Sequence, residues 1–441
     1  MLGVFHRWRG RLCSKHTNRR KFFSTSSPRV AVALSGGVDS SVAALLLKKQ
    51  GYDVYGIFMK NWSEEEESIC TGQDDLSQVD QLCRHLNIPY RVVEFQKEYW
   101  NEVFQPFLSG YERGMTPNPD VVCNREIKFR ALTNNVFSRD PSVDYLATGH
   151  YAQLVPDLED PRELELRCAV DRKKDQTYFL VQVDPQMLFR IKFPIGHLTK
   201  DRVRQIASEN GLPTAKRRES MGLCFIGKRK FDQFLAEYLF QPETEVVSSE
   251  TGKLVARKRG AIYLTIGQKV CIGGLAAKLY VVDKDARNNK IYVCEGRRHP
   301  LLYRRMLVAY QMNWFTERTV EKMRNGSEEI RCWAKIRHGK EMVECKIRSL
   351  RVDRWNTCFN DNNSERYSDG SVEKWFQEYE NGDSGKQGRA IEVEFNDPQR
   401  AISIGQFLGL YSENRCIGGG MIIKVGKNEW TRACSDKGVP N

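Results

Sequence analysis

Hydrophobic residues in the first half of the chain follow two alternating patterns. Short continuous apolar runs, which favour buried β-strands, are separated by longer stretches in which apolar residues recur at helical spacing. This alternation predicts an α/β fold with a doubly wound, Rossmann-like parallel sheet that binds ligands at the carboxyl ends of its strands. The predicted strands are 30–34, 53–59, 90–95 and 144–148, and the predicted helices are 74–87, 98–110, 123–138 and 199–211, the last with Thr199 as its N-cap and Gly211 at its end.

After about residue 226 the helical pattern gives way to short β-rich segments. Residues 354–388 interrupt them with a polar stretch rich in Asn, Ser, Asp, Glu and Gly, where we expect a long surface insertion. The earlier segments predict a small mixed central domain and the later ones a C-terminal β-barrel. The central strands are predicted at 261–266, 278–282 and 290–294, and those of the barrel at 329–337, 342–349, 389–395 and 407–412.

Length and pattern together set the expected domain organisation. A chain of 441 residues is long enough for two to four domains at about 100–200 residues each. No run approaches the roughly 18 consecutive apolar residues of a membrane span, so no membrane partner is predicted. The expected parts are a leader (1–28), the α/β domain (29–226), the central domain (227–300), the barrel with its insertion (301–425) and a tail (426–441).

The formal charge of +13 is concentrated at the start of the chain. Residues 1–28 contain seven Lys and Arg residues and no acid, and the first acidic residue is Asp39. This composition predicts a mitochondrial transit peptide and hence a protein of the mitochondrial matrix, with a disordered RNA-binding arm as the alternative. Removing these seven charges from +13 leaves +6, so an RNA-binding face must come from local clustering.

The thirteen cysteines point to free thiols rather than to a disulfide or metal framework. Their number is odd, no CxxC pair occurs, and the spacings of zinc ribbons and ferredoxins are therefore missing from the sequence. We expect a reducing compartment, no metal ligand set, and mostly buried cysteines that behave as small hydrophobic residues.

The segment Ser35-Gly36-Gly37-Val38-Asp39-Ser40 lies between the first predicted strand and a helix. Its two glycines let the backbone approach an anion, and the helix that follows supplies unpaired N–H groups and the positive end of its dipole. The segment therefore predicts a phosphate-binding loop, although a lone glycine turn would have the same residues. It lacks the lysine of the Walker A pattern, which excludes the usual nucleoside-triphosphatase interpretation.

Two further segments carry cysteines in unusual surroundings. In 118–124, Asp120 is predicted to cap a helix that starts near Cys123, where the helix N-terminus would stabilise a thiolate. In 219–227, Cys224 lies between glycines and follows the basic run 216–218, which favours a reactive thiolate able to carry a persulfide. Taken singly, each cysteine has a plain alternative as a buried core residue.

Seven motifs occur in an order that resembles the tRNA-specific 2-thiouridylase family of PP-loop ATP pyrophosphatases, in its mitochondrial form given the leader. The resemblance covers about 29–423 apart from the insertion. The motifs are SGGVDS (35–40), NPDxxCNxxIKF (118–129), GHYA (149–152), KDQTYFL (174–180), GxCFIG (222–227), TIGQ (265–268) and a late GQ (405–406) followed by CIGGG (416–420).

The resemblance implies a PP-loop fold with a tRNA-binding central domain, and a specific reaction. ATP, with Mg²⁺, would adenylate the 2-carbonyl oxygen of the wobble uridine in an anticodon stem-loop, and sulfur would replace it. The expected acceptors are mitochondrial tRNAs for Lys, Glu and Gln. The expected partners are tRNA and an upstream protein that donates persulfide sulfur, and the enzyme is expected to be a monomer.

The resemblance also implies roles for individual residues. Cys224 would carry the persulfide, Cys123 would attack or resolve it to leave a Cys123–Cys224 disulfide, and Asp120 would be an acid or base. The expected ATP contacts are Ala33, Leu34, Ser35, Gly36, Gly37, Val38, Asp39, Ser40, Met59 and Gly149. Asn118, Pro119 and Asp120 would face the target base, and the expected tRNA contacts are His150, Lys174, Asp175, Gln176, Gln406 and, as weaker matches, Arg337 and His338.

The sequence departs from the family pattern at two points and leaves alternatives open. Glu219 stands where the family usually has Asp, and Cys271, within a glycine-rich stretch, is predicted to pack in the interior. Another PP-loop tRNA ligase would not need the paired cysteines, and an inactive RNA-binding scaffold would not need to keep every reactive group. An iron–sulfur centre usually takes three or more thiolates, whereas two are obvious here.

The leader prediction can be tested by fusion. Residues 1–35 joined to a fluorescent protein are expected to direct it to mitochondria, because an Arg-rich segment without acids is typical of imported presequences. The readout is co-localisation with a mitochondrial marker, and a fusion that starts at residue 36 is the control. A diffuse cytosolic signal from the 1–35 fusion would exclude the transit peptide.

Overall fold

The computed structural model describes residues 27–62, 71–157, 160, 163–218, 229–324, 329–350 and 390–428. The predicted leader and tail lie almost entirely outside these ranges. The predicted insertion at 354–388 and Cys224 lie wholly outside them. The described residues belong mainly to the α/β domain, the central domain and the barrel.

A five-stranded parallel sheet forms the first domain. Its strand order is β3-β2-β1-β4-β7, so the chain moves outward from β1 to β3 and then returns to the other side of β1. The strand order therefore reverses between β1 and β4, which is where doubly wound sheets bind ligands. The strands of this half are β1 (Arg29–Leu34), β2 (Asp53–Lys60), β3 (Tyr90–Glu94), β4 (Tyr145–Ala147), β5 (Ala152–Pro156), β6 (Leu164–Cys168) and β7 (Ile191–Lys192).

Helices cover both faces of this sheet, as the alternating pattern predicted. Val30, Val32 and Leu34 of β1 join one hydrophobic cluster and Ala31 joins another, because successive strand residues point to opposite faces. The α-helices are Val38–Lys49, Thr71–Leu86, Gln96–Tyr99, Gln105–Glu112, Pro119–Cys123, Leu132–Arg139, Thr177–Leu180, Pro185–Leu188, Lys200–Glu209, Phe231–Tyr238 and Glu317–Arg324, and π-helical segments lie at Trp100–Phe104 and Asn124–Ala131.

The predicted helices are confirmed. The helix predicted at 74–87 begins three residues earlier, at Thr71, and two others extend beyond their expected bounds at both ends. The prediction at 98–110 corresponds to a continuous helical run over 96–112, and the prediction at 123–138 to a run over 119–139. Each run contains a π-helical segment, a local widening of the helix that is frequent at functional sites. Thr199 caps its helix as expected, since its side chain accepts a hydrogen bond from the Arg202 N–H at 3.3 Å.

The central domain is a mixed five-stranded sheet. Its strand order is β10-β11-β12-β8-β9, with β12 and β8 parallel and the other pairs antiparallel. The predicted strand at 261–266 is wrong, because Gly260 has φ of +67° and turns the chain into a short 3₁₀ helix, Ala261–Tyr263. The strands are β8 (Glu243–Ser248), β9 (Leu254–Arg259), β10 (Lys269–Val270), β11 (Leu279–Asp285) and β12 (Lys290–Glu295).

Six antiparallel strands form the closed C-terminal barrel. The order β13-β16-β15-β14-β17-β18 closes through direct pairing of β13 with β18, so none of these six described strands has an exposed edge. A short 3₁₀ helix, Pro300–Leu302, precedes it. The strands are β13 (Tyr303–Trp314), β14 (Ile330–Lys335), β15 (Val343–Ser349), β16 (Ala390–Arg400), β17 (Phe407–Ser412) and β18 (Arg415–Val425).

The barrel is joined to the first domain by a shared sheet that the sequence did not predict. The hairpin β5–β6 leaves the α/β domain and pairs with the start of β18, where Leu166 lies opposite Cys416. Gln182 reinforces the junction by donating a hydrogen bond to the carbonyl of Gly419 at 2.8 Å. The central domain separates these two domains along the chain, but a single sheet runs through both of them.

Most cysteines in the described part of the chain are buried, as expected. Cys271 is the exception among them, and its predicted interior packing is wrong. It follows the two-residue strand β10 and precedes Gly273 and Gly274, around which there is open space. Within the described residues, no helix combines the length and the apolar character needed to cross a bilayer.

Candidate active site

The phosphate-loop prediction coincides with a tight turn between β1 and the helix Val38–Lys49. Gly36 has φ of +72°, a left-handed conformation that favours glycine. The Ser35 N–H donates to the Ser40 hydroxyl at 3.2 Å, and that hydroxyl in turn donates to the Gly37 carbonyl at 3.1 Å. No side chain of the described residues caps this helix at Gly37. Its first N–H groups are thus suited to an anion.

A second strand end lies directly against this turn. An added Cβ at Gly149, which follows β4, would lie 2.6 Å from the Ser40 nitrogen and 2.8 Å from the Asp39 carbonyl carbon. Glycine is therefore required here for close approach of two backbones. The ends of β1 and β4 meet at this contact, where the strand order of the sheet reverses.

Two cations contact the loop, and neither belongs to it. The Lys200 ammonium lies 2.8 Å from both carboxylate oxygens of Asp39. Arg217 donates to the Gly36 carbonyl at 2.9 Å and forms an ion pair with Asp75. The sequence placed Arg217 in the basic run beside Cys224 and gave no role to Lys200, because its helix matches no motif with a phosphate-binding role.

The helix that carries Asp120 and Cys123 begins differently from the prediction. The Asn118 side chain, and not that of Asp120, caps it by accepting a hydrogen bond from the Val121 N–H at 3.3 Å. Pro119 occupies the first helical position, for which its fixed φ is suited. Asp120 is thereby released from capping.

The Asp120 carboxyl group faces a cavity that it shares with Cys123. Burial raises the pKa of Asp120 above its ordinary value, and the positive charge of Lys128 opposes this shift. The carboxyl group therefore keeps its proton to a higher pH than an exposed aspartate does. Cys123 is only 6% exposed and also lines the cavity.

This cavity has a volume of about 460 Å³ and brings the two predicted motifs together. The phosphate loop forms one side, and the Asp120 and Cys123 side chains form another. A nucleotide held by the loop and a base beside Cys123 would thus share one space. The sequence-predicted residues that line it are Ala33, Leu34, Ser35, Asp39, Ser40, Met59, Asp120, Cys123, Gly149, His150 and Gln176.

Several lining residues were missed by sequence reasoning. Phe58 and Lys60 flank Met59 at the carboxyl end of β2, so the sheet rule could have found them. Trp62 could not be found this way, since it enters through aromatic packing with Phe104, with ring centroids 4.9 Å apart. The other missed lining residues are Asn61, Gln73, Asp75, Leu76, Val92, Tyr99, Lys128 and Thr148.

His150 lines the cavity as a buried, neutral imidazole. Its Nδ1 lies 2.7 Å from the Thr148 hydroxyl, and its ring packs against Phe129 and Phe193. Burial lowers the pKa of His150 well below its ordinary value, and the nearby charge of Lys128 acts in the same direction. The ring therefore offers hydrogen bonding and stacking rather than positive charge.

Of the predicted tRNA contacts in the KDQ motif, one is deeply buried. Asp175 is 3% exposed, and its two oxygens accept hydrogen bonds from the Ala169 N–H and the Thr177 hydroxyl. Gln176 accepts from the Tyr151 N–H at 2.9 Å and reaches the cavity. Lys174 lies in the preceding turn, with its N–H bonded to the Asp171 carbonyl. Their contacts with tRNA stay predictions.

The barrel residues predicted to contact tRNA do not line the cavity. Gln406 donates to the Thr116 carbonyl at 2.7 Å and lies 3.4 Å from the Asn118 amide. Arg337, for which a solvated surface position was the alternative, is instead half-buried and donates to the carbonyls of Arg400 and Ala401. Burial lowers the pKa of its guanidinium.

His338 is the exposed neighbour of Arg337. Its ring lies tilted against that of Phe179, with centroids 4.5 Å apart, and partial desolvation, together with the charge of Lys335, lowers its pKa. In the ranges that the structure covers, no three His, Cys, Asp or Glu side chains are grouped so as to hold a metal ion. A cation at the cavity would thus depend on single carboxylates and on its ligand.

Three family profiles match consecutive parts of the chain. They are described as the tRNA methyl transferase HUP domain (28–228), the tRNA methyl transferase PRC-barrel domain (232–295) and the aminomethyltransferase beta-barrel domain (383–422). Their descriptions mention methyl transfer, whereas the full-length relatives that match the chain are named for thiolation.

Two of these relatives are bacterial and match almost end to end. The tRNA-specific 2-thiouridylase MnmA 2 of Geobacillus kaustophilus is 41% identical over 403 residues, which cover 91% of this chain and 96% of the relative. The tRNA-specific 2-thiouridylase MnmA of Halalkalibacterium halodurans is 42% identical over 407 residues, which cover 92% and 97%. Among solved structures, the U34-tRNA thiolase NcsA of Methanococcus maripaludis, with its 4Fe–4S cluster, aligns with a TM-score of 0.30 at 20% identity over 45% of this chain and 63% of that chain.

The backbone contact at Gly149 yields a direct test. Gly149→Ala is expected to lower the rate of the ATP-dependent step by up to about 100-fold, because a misplacement on the order of 1 Å in an active site has that effect. The added methyl group must push the Asp39–Ser40 backbone away. Gly273→Ala is the matched control, since nothing lies within 4 Å of a Cβ there. Equal rates for both variants, with thermal melts like the wild type, would contradict the assigned contact.

Proposed function

Because the chain belongs to the tRNA-specific 2-thiouridylase family, we propose that it is the mitochondrial enzyme that thiolates the wobble uridine of tRNAs for Lys, Glu and Gln. The chain is an ATP-using tRNA-uridine 2-sulfurtransferase with tRNA as its substrate. We propose in addition its compartment, its individual tRNA substrates and the source of its sulfur. One observation carries the chemistry, namely the single cavity shared by the phosphate loop, Asp120 and Cys123.

The first step activates the target carbon. The 2-carbonyl oxygen of a uridine flipped into the cavity attacks the α-phosphorus of ATP, and the bond to the β-phosphate oxygen breaks to release pyrophosphate. Backbone N–H groups at Gly37–Ser40 are suited to the departing phosphates. Asn118 and Pro119 fix the start of the helix that presents Asp120 to the base. The aromatic residues Phe58 and Trp62 offer surfaces for stacking.

The second step exchanges oxygen for sulfur. Cys224 carries the sulfur as a persulfide, and its terminal sulfur becomes bonded to C2 while the C2–O bond to AMP breaks. The Cys123 thiolate attacks the inner sulfur of Cys224, which releases the outer one. The transferred sulfur gains two electrons, the two thiols lose them as the Cys123–Cys224 disulfide forms, and a thiol reductant must reset the enzyme.

Asp120 is suited to exchange the proton that this reaction requires. Burial raises its pKa, so it keeps its proton to a higher pH than an exposed aspartate does, and the charge of Lys128 opposes this shift. The same residue can therefore give a proton to a developing oxyanion or accept one from the base. Its half-buried position in the same cavity lining as Cys123 supports this role.

Mg²⁺ is the proposed companion of ATP, and the residues present fit it. Asp39 is about one-third exposed and lines the cavity beside the phosphate loop, and although both of its carboxylate oxygens pair with Lys200, the lone pairs left on them are of the kind that Mg²⁺ prefers. Asp75 offers a second carboxylate in the same lining. When bound, the ion would offset the charge of the phosphates.

The leader supports the mitochondrial assignment, and the persulfide chemistry supports a protein donor. Residues 1–28 contain seven Lys and Arg residues and no acid, and the HUP-domain profile matches only from residue 28 onward. A matrix enzyme would receive its sulfur from a persulfide-bearing protein, and the basic run 216–218 that precedes Cys224 in the sequence favours a thiolate able to accept it. The enzyme would act as a monomer.

The tRNA assignment can be tested in cells. Depletion of the protein is expected to remove 2-thiouridine derivatives from the wobble position of mitochondrial tRNAs for Lys, Glu and Gln, measured by mass spectrometry of each purified tRNA. Cytosolic tRNAs from the same cells are the control and should keep their thiolation. Loss confined to cytosolic tRNAs would refute the proposed compartment.

The division of labour between the cysteines predicts two distinct defects. Cys224→Ser is expected to lose both the protein-bound persulfide and thiolation. Cys123→Ser should still load Cys224 with sulfur but fail to complete or repeat the reaction. Adenylation of tRNA should persist in both, because neither thiol activates the carbonyl. Persulfide trapping with peptide mass spectrometry and release of labelled pyrophosphate are the measurements.

Cys271→Ser is the control for these variants, since Cys271 is exposed and does not line the cavity. It should load sulfur, adenylate and thiolate like the wild type. Sulfur trapped on Cys123, or normal turnover by either serine variant of the pair, would show that the roles are assigned wrongly.

A further inference from the structure

The phosphate loop carries a carboxylate, that of Asp39, which bonds to two residues that do not line the cavity. Asp39, in the first turn of its helix, lies 2.8 Å through each carboxylate oxygen from the Lys200 ammonium. The Tyr151 hydroxyl donates to one of these oxygens, also at 2.8 Å. Asp39 lines the cavity, and the described residues of that lining include neither Lys200 nor Tyr151. Both therefore contact Asp39 without lining the cavity themselves.

Lys200 is itself fixed in place. It is 7% exposed and is the first residue of the helix Lys200–Glu209, which packs against the helix Val38–Lys49. Its backbone N–H donates to a carboxylate oxygen of Asp171 at 3.0 Å. Because a buried ammonium is costly unless it is paired, the position of Lys200 depends on Asp39 as much as Asp39 depends on it.

The charge of this pair matters for what the loop must bind. A nucleoside triphosphate brings several negative charges to the N-terminus of the helix that also bears the Asp39 carboxylate. An unpaired carboxylate there would repel the phosphates, and the loop has no lysine of its own to offset it. Lys200 supplies the missing positive charge from a helix about 160 residues further along the chain.

We propose that Lys200 is a positioning residue of the ATP site, which neutralises Asp39 and fixes its orientation so that the phosphate loop can accept a triphosphate. Lys200 acts through Asp39 and does not itself contact the nucleotide. Tyr151 assists by fixing one carboxylate oxygen. The inference rests on the proposed function only in taking ATP as the anion. It does not depend on which tRNA is the substrate, which compartment holds the enzyme or which protein donates the sulfur.

The test measures affinity for α,β-methylene-ATP by calorimetry on the full chain, without tRNA or sulfur. Lys200→Met is expected to weaken binding by about tenfold, which corresponds to about 1.4 kcal/mol. Lys200→Arg should stay within about threefold of the wild type, because a guanidinium pairs well with a carboxylate. Lys49→Met is the matched control, since its ammonium bonds to Asn210 at the surface, away from the cavity.

A double-variant comparison separates positioning from direct contact. In an Asp39→Asn background, Lys200→Met should cause little further loss of affinity, because the charge that Lys200 offsets is already gone. Circular dichroism and thermal melts monitor the fold of each variant. Lys200→Gln, which keeps a hydrogen-bond donor without charge, replaces the methionine variant if that variant does not fold, and the same loss is expected.

Two results would overturn the proposal. Wild-type affinity in the neutral variants at position 200 would mean that the ion pair serves the fold alone. An equal loss of affinity in the Asp39→Asn background would mean that the lysine acts on the phosphates directly. A loss of nucleotide affinity that Lys200→Met causes only when Asp39 is intact supports the proposal.

Discussion

The active site depends on the contact between two backbones where β1 and β4 end. Gly149 lies so close to the Asp39–Ser40 peptide that no side chain fits between them. This contact fixes the start of the phosphate-binding helix relative to Thr148 and His150, which line the same cavity. Because Tyr151 follows immediately and bonds to Asp39, the residues after β4 also set the orientation of the loop carboxylate. Shifting either strand end would disturb the phosphate site and the base site together.

The barrel contributes to the site without lining its cavity. Gln406 bonds to the Thr116 carbonyl, and the Thr116 N–H donates to the Ile404 carbonyl at 2.8 Å. These bonds hold the segment just ahead of Asn118, whose side chain starts the helix with Asp120 and Cys123. One wall of the cavity is thereby anchored to a different domain. A residue such as Gln406 can thus influence the reaction through the fold, whatever contact it makes with tRNA.

Local sequence patterns predicted the elements well, and contacts between distant segments poorly. The strand, glycine turn and helix around SGGVDS, the parallel sheet and the barrel all follow from periodicity and turn chemistry, which act over a few residues. The Asn118 cap was missed because both Asn118 and Asp120 are good capping residues, and only the chain's path decides between them. The Lys200–Asp39 pair and the β5–β6 hairpin on β18 could not be predicted, because tertiary packing creates them. The 3₁₀ helix after Gly260 was missed because its apolar residues also suit a strand.

The pairing of β6 with β18 has a consequence for how the protein is made. Arg415 at the start of β18 bonds to Glu165 in β6, a separation of 250 residues. A chain that emerges from its N-terminus, whether from a ribosome or through a translocation pore, cannot complete this sheet until nearly all of it has passed. The edge of the β5–β6 hairpin stays unpaired meanwhile, and such edges invite association with other chains. Contacts of such long separation also form slowly. The protein is therefore expected to need shielding by chaperones until its last strand arrives.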